Sequence, residues 1–349
     1  MAQLKVAIIG CGGRGREHAK GYAACPEAQI VGVADPVPEA AQQLAEQYGV
    51  PSTYQDYTRM LAETKPDMVS ICTWTGQHHQ QVLDTVAAGV RAIHAEKPMA
   101  PTWGEAKDMH RAATEAGVQM TFCHQRRFGA HFVKARELAL SGAIGQVHRL
   151  EGFCSNLFDW GTHWFDMFFF YNDETPAEWV MGQIDIAEAR TVFGAWVESS
   201  GLSSIRFAND VYGLLATGKG QNGGGCSNRI IGTDGIIEVK EGGGPRLRML
   251  RGSGSGWEAP DLEGVVPPGG DTTLSVLDAI ECLNTGREPR LSSRKALQAT
   301  ELIFATYESA RRRARVTLPL DIEDSPLLDM IAQRDQAQSG GGSKLGEGK

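Results

Sequence analysis

The sequence predicts an α/β fold in two parts. Residues 1–123 should form a parallel sheet wound with crossover helices, and residues 124–320 an α+β unit with a mostly antiparallel sheet, followed by a tail at 321–349. Three observations carry this expectation. Short apolar, β-rich runs alternate with longer amphipathic stretches through the first third of the chain, the rhythm of strand–helix–strand units with right-handed crossovers. A G-x-G-x-x-G turn follows the first of those runs. After Phe122 apolar and polar residues alternate between glycine-rich turns, as in sheets with one face packed and the other in water.

In chain order, residues 5–9, 29–34, 68–72, 91–95 and 119–122 read as buried strands, with helices near 14–24, 38–48, 57–63, 79–88 and 102–116 between them. A helix near 130–141 leads to a strand at 147–154 and an aromatic-rich helix at 161–171. The alternating region 177–250 includes strands at 203–208, 211–217, 228–231, 236–240 and 246–251. Residues 251–270, rich in Gly, Ser and Pro, read as a loop. Helices near 272–283 and 292–312 and a short strand at 315–318 close the fold. From Gln336 the tail has almost nothing to bury and is expected to be disordered.

The chain has 349 residues, of which 22% are charged and 42% hydrophobic, enough for two ordinary globular cores. A net charge of −8 repels phosphate backbones and argues against nucleic acid as a partner. No apolar run approaches the ~20 residues needed to cross a bilayer, so no membrane is expected. The N-terminus carries one Lys and enters the first strand directly, without a signal-peptide layout, so the cytoplasm is the expected location. Seven scattered cysteines, none in a C-x-x-C pair, read as free thiols. Asp159, His163 and Asp166 are metal-ligand types, but no second set has recognisable spacing, so no metal is expected.

Gly10-Cys11-Gly12-Gly13-Arg14-Gly15 is the G-x-G-x-x-G match, placed after a strand and opening a helix. The first Gly permits the tight turn, the second lets the backbone approach a pyrophosphate, and the third allows close helix–strand packing. The helix N-terminus adds free N–H groups and partial positive charge. Asp35 ends the second strand, 20 positions beyond Gly15. A carboxylate there binds ribose hydroxyls and repels a 2′-phosphate, which favours NAD over NADP.

Two further clusters carry chemistry. Glu96-Lys97-Pro98 lies at the carboxyl end of the fifth strand, where ligands bind in open α/β sheets. A partly desolvated Lys97 near a positive nicotinamide ring would have its pKa pulled down and exchange a proton with a hydroxyl; the alternative is a surface Lys in a turn. Asp159 and His163, four apart, share a face if both start one helix. His163 then reads as a general base or acid with Asp159 orienting its ring or touching a sugar hydroxyl; the alternative is an N-cap Asp and a half-buried His.

Together GCGGRG at 10–15, AEKP at 95–98 and DWGTHWFD at 159–166 resemble the glucose–fructose oxidoreductase/inositol dehydrogenase (Gfo/Idh/MocA) family. His78, the AGVRAI segment at 88–93, Arg126-Arg127-Phe128, the IGTDG turn at 231–235 and residues 299–316 support the likeness, which spans about 4–320. The resemblance implies a Rossmann domain followed by a domain with a large open sheet, and substrate held between them beside the nicotinamide. It implies oxidation of a secondary hydroxyl of a sugar, sugar derivative or cyclitol. Lys97 matches the family's catalytic Lys, and Asp159 and His163 its D-x-x-x-H pair, with His163 the favoured proton acceptor. On the cofactor side, Thr73, Trp74, His78, Glu96 and Lys97 join Gly10, Gly12, Gly13, Arg14, Gly15 and Asp35. On the substrate side stand Lys97, Gln125, Arg126, Asp159, Trp160 and His163.

Arg126 and Arg127 serve equally well as interdomain salt-bridge partners. Trp160 and Trp164 are candidates to stack on a sugar ring, within an aromatic helix that is mostly core. Trp74 stands where the family often has Pro, and a packing role is slightly preferred for it over a pocket role. Some relatives hold NAD permanently and cleave glycosides by transient C3 oxidation and elimination, and the same residues would serve there. A non-catalytic regulator on this fold is the other alternative. An open sheet face favours a homodimer or homotetramer.

Overall fold

The computed structural model describes residues 3–221, 224–252 and 256–340. The first unit contains β1 (Leu4–Ile9), α1 (Gly13–Ala23), β2 (Ala28–Ala34), α2 (Pro38–Tyr48), β3 (Thr53–Tyr54), α3 (Tyr57–Thr64), β4 (Met68–Ile71), α4 (His78–Ala87), β5 (Ala92–Ala95), α5 (Trp103–Glu115) and β6 (Gln119–Phe122). The six strands are parallel and ordered β3-β2-β1-β4-β5-β6, the doubly wound order in which the chain reverses direction between β1 and β4. β4 and β5 are buried along their whole length, as strands covered by helices on both faces must be.

Local chemistry sets the helix ends. Pro38 occupies the first turn of α2, and Gly49 ends it at φ 65°. The Asp56 carboxylate accepts the Thr58 N–H to cap α3, and Thr102 accepts the Glu105 N–H to cap α5. The two-residue β3 is absent from the sequence expectation; it is too short to show a period.

The second unit begins with α6 (Ala130–Leu140), β7 (Val147–Cys154), α7 (Gly161–Tyr171) and β8 (Ala177–Asp185). A small hairpin follows, β9 (Arg190–Val192) and β10 (Ala195–Val197), then β11 (Ser200–Phe207), β12 (Tyr212–Thr217), β13 (Asn228–Gly232), β14 (Gly235–Val239), β15 (Leu247–Arg251) and β16 (Trp257–Glu258). α8 (Asp271–Thr285), α9 (Ser293–Arg312), β17 (Val316–Thr317) and α10 (Pro326–Gly340) complete it. Nine strands form one sheet, ordered β16-β15-β14-β13-β7-β12-β11-β8-β17, antiparallel except where β12 runs parallel to β7. α7 is buried at all eleven positions, and Gly152 of β7 leaves room for its Trp164 and Phe168. The other face of the sheet leaves Met181, Leu202, Tyr212 and Trp257 exposed.

Two expectations need correction. Residues 251–270 hold the short edge strand β16, and the tail is helical through Gly340. α10 gains its order from the buried Leu327 and Ile331, so residues 336–340 continue a helix anchored upstream; residues 341–349 lie outside the described residues. The chain also returns to the first unit. Val276, Ala279 and Ile280 of α8 share a core with Val6, Ile8 and Tyr22, and a methyl on Gly21 of α1 would sit 2.9 Å from Val276.

Candidate active site

The glycine turn is built as the motif's physics requires. Gly10 has φ 91°, and a Cβ there would lie 2.7 Å from the Cys72 carbonyl oxygen. A Cβ on Gly15 would fall 2.0 Å from the Gly10 carbonyl oxygen, so that helix can pack on that strand only with Gly. Gly12 and Gly13 face open space, the room a pyrophosphate needs beside the N-terminus of α1. Asp35 accepts the Cys11 N–H at 2.8 Å and the Val37 N–H at 2.9 Å, which fixes a carboxylate between the glycine turn and the end of β2. These residues fit a bound dinucleotide.

Glu96 does not point at open solvent. Its Oε1 accepts from Arg14 Nε at 2.7 Å and lies 3.0 Å from His18 Nε2. Burial raises its pKa, but the His18 hydrogen bond and the charges of Arg14, His18 and Lys97 outweigh it and hold the carboxyl well below its usual range. Behind it, His18 Nδ1 meets Ser70 Oγ at 3.0 Å, and Ser70 meets Tyr22 Oη at 2.7 Å. Arg14 also reaches Thr272 Oγ1 at 3.2 Å. The sequence reading missed His18, Ser70, Tyr22 and Thr272; the i+4 spacing of Arg14 and His18 on α1 was the available signal. His18, His94 and Cys123 bring ligand-type atoms within 4.8 Å of one another, but His18 Nε2 already bonds Glu96 and His94 Nδ1 bonds Thr121. The cluster serves as a polar core.

Lys97 donates to Asp159 twice, to Oδ1 at 2.7 Å and to the carbonyl oxygen at 3.0 Å. This corrects the expected Asp159–His163 partnership. Asp159 lies ahead of α7, because Asn156 accepts the Asp159 and Trp160 N–H groups on its side chain and the Gly161 N–H on its carbonyl. The turn is wound before the helix starts, and the carboxylate is delivered to Lys97. His163 is 3% exposed, and its Nδ1 is buried without a protein partner. Burial first, then the charges of Arg126, Lys97, His124 and Arg14, hold its pKa well below the ordinary histidine value. These causes keep the imidazole neutral, with one ring nitrogen unpaired by the protein. His124 stands edge-on to it at 5.6 Å and bonds Thr162 Oγ1 at 2.9 Å.

The remaining candidates separate. His78 is fully buried: Nδ1 lies 3.0 Å from the Pro98 carbonyl oxygen and Nε2 lies 3.1 Å from that of Thr73, so it braces the cis Lys97-Pro98 turn against the end of β4. Thr73 bonds Gln81. Gln125 keeps a buried Oε1 without a partner. Arg126 pairs with Glu241 at 2.7 Å and lies over the Trp160 and Trp164 rings. Arg127 is locked in the core by Asp166 at 2.8 Å and by Glu174. Trp164 is core at 1% exposure, whereas Trp160 is 40% exposed. Trp74 is 63% exposed, which overturns the packing role preferred for it.

The profile of the oxidoreductase family with an NAD-binding Rossmann fold matches residues 4–124, and that of its C-terminal alpha/beta domain matches 154–318. The chain belongs to the Gfo/Idh/MocA oxidoreductase family. Among its Gfo/Idh/MocA relatives, D-apiose dehydrogenase of Paraburkholderia graminis is 26% identical over 350 residues, covering 90% of each chain. D-glucoside 3-dehydrogenase of Escherichia coli K12 is 34% identical over 146 residues, 42% of this chain and 41% of that one. scyllo-Inositol 2-dehydrogenase (NAD(+)) of Bacillus subtilis is 30% identical over 152 residues, 43% of this chain and 44% of that one. For these last two, the match spans only about two-fifths of the relative's length. A levoglucosan dehydrogenase structure, a complex with NADH and levoglucosan, shares the Gfo/Idh/MocA fold with a TM-score of 0.78 at 21% identity, covering 91% of this chain and 100% of that one.

Proposed function

We propose that this protein is an NAD(H)-dependent oxidoreductase that oxidises a secondary hydroxyl of a sugar, sugar derivative or cyclitol. The observation that carries the reading is the pair of unlike groups beyond β5: Lys97 anchored on Asp159, and neutral, unpaired His163 within reach of its charge. NAD, when bound, supplies the hydride acceptor. The glycine turn and Asp35 would hold it, and the Asp35 carboxylate favours NAD over NADP by repelling a 2′-phosphate. Lys97 donates to the substrate oxygen and orients it, and His163 takes the hydroxyl proton. Gln125 Oε1, buried and unpaired, is available to a second hydroxyl. Residues 1–123 would form the cofactor domain and 124–320 the substrate and pairing domain of a cytoplasmic homodimer or homotetramer.

A panel of sugars, glycosides and inositols, offered with NAD and followed by NADH absorbance, tests this. Steady NADH formation with one of them is expected. Consumption of a glycoside without NADH accumulation would instead mark redox-neutral cleavage, and inertness toward the whole panel would overturn the reading.

A further inference from the structure

Four large aromatic side chains stay open to solvent near the site: Trp74, Phe193, Trp160 and Trp196. Trp74 follows the end of β4. The β4–β5 pairing aligns Ile71 with Ala95, and His78 ties Thr73 to Pro98, so Trp74 stands on the same sheet edge as Lys97. Phe193 and Gly194 are the two-residue turn of the β9–β10 hairpin. That tip meets Trp74: a methyl on Gly194 would lie 3.1 Å from the Trp74 ring, and Gly194–Trp196 line a small cavity with Pro101 and Phe158. Pro101 is four residues past Lys97, and Phe158 immediately precedes Asp159. At the hairpin's base, buried Glu198 accepts the Leu157 N–H at 2.6 Å, fastening the hairpin to the loop that carries Asp159.

The turn residues are the informative part. Phe193 has φ 47° and Gly194 φ 78°. A two-residue turn with both φ positive is cheapest as Asn-Gly or Asp-Gly, and a bulky residue at positive φ is strained. The ring is nevertheless 63% exposed, so core packing does not account for its placement. It stands at the hairpin tip that meets Trp74, which follows the strand paired with the one leading to Lys97.

We propose that Trp74 and Phe193 form a stacking subsite for a second ring, the aglycone or neighbouring sugar of a glycoside whose reacting ring lies at Lys97 and His163. This rests on the oxidoreductase reading above and names its substrate class. The C–H face of a pyranose or an aryl aglycone stacks on aromatic rings while its polar edge stays in water. Two side chains of about 150–250 Å² each fall short of the ~800 Å² per partner of a stable protein interface, which favours a small ligand over a protein.

The test compares methyl and phenyl β-D-glucopyranoside, which share the acetal and differ in the second ring. In the wild type, kcat/KM with NAD should be about tenfold higher for the phenyl compound. Phe193→Ala and Trp74→Ala should each bring the ratio toward one, mainly through KM, and Phe193→Tyr should keep it. Equal kcat/KM for the two glucosides in the wild type would overturn the subsite while leaving the oxidoreductase reading intact. Oxidation of neither would remove both. A ratio untouched by Phe193→Ala, with a changed oligomeric state by light scattering, would show that the rings serve a subunit contact instead.

Discussion

Replacing Lys97 with Ala removes the proposed donor to the substrate oxygen and leaves the glycine turn untouched. Turnover should fall by at least about 10²-fold, while NADH binding, read by fluorescence, stays within a few-fold of wild type; unchanged turnover would refute the assignment. Asp35→Ser separates two roles of one carboxylate. Losing the Cys11 and Val37 contacts loosens the turn for either cofactor, so NAD affinity should drop roughly tenfold. Only a ribose-facing charge also raises NADP binding relative to NAD, and an unmoved NADP-to-NAD ratio would show that Asp35 is purely a turn brace. The candidate residues stood out in the sequence because their types and local contexts carry chemistry; their pairing did not. Lys97 and Asp159 are 62 positions apart in sequence, and the i,i+4 argument gave Asp159 to His163 because nothing in the composition reveals that Asn156 winds a turn ahead of α7.

Elements with a strong period or a clear cap were readable to within a residue or two, α2 with its Pro38 and Gly49 among them. Apart from β17, expected at 315–318 and found at Val316–Thr317, the short ones were not. β3, β16 and the β9–β10 hairpin are two or three residues per strand and owe their existence to neighbours rather than to local propensity. The glycine turn offers a test at this scale. Gly12→Ala adds a methyl into open space, so the melting temperature should hold within about a degree while NADH affinity falls at least roughly tenfold, because the backbone can no longer approach a pyrophosphate closely. Gly15→Ala puts the same methyl on the Gly10 carbonyl, so the melting temperature itself should fall by several degrees, on the order of 1–3 kcal/mol of overpacking. Equal melting temperatures for the two variants would contradict the turn geometry.

Histidines in both parts of the molecule are held neutral by burial. Burial lowers His124 and His131 to about 4 and holds His94 and His163 well below the ordinary value. A depressed folded pKa contributes stability that is present above the unfolded value near 6.5 and lost as pH falls through the folded one. The melting temperature should therefore drop between pH 7 and pH 5, with His124 alone accounting for about 2 kcal/mol at pH 5; a level profile over that range would contradict the burial of these rings. The two-part architecture was visible in the change of rhythm after Phe122, but the return of α8 onto α1 was not, since an amphipathic helix does not say which sheet it will cover. One bond inside that assembly has an evolutionary consequence. Arg14 belongs to the glycine turn and Glu96 to the segment carrying Lys97, and they are joined at 2.7 Å. The two positions are coupled, since losing Arg14 leaves the buried Glu96 carboxylate with one charged partner fewer, and losing Glu96 frees a half-exposed guanidinium beside the glycine turn. Descendants of this sequence should exchange the two together, and a cofactor loop transplanted from another protein would need Glu96 and His18 rewritten along with it.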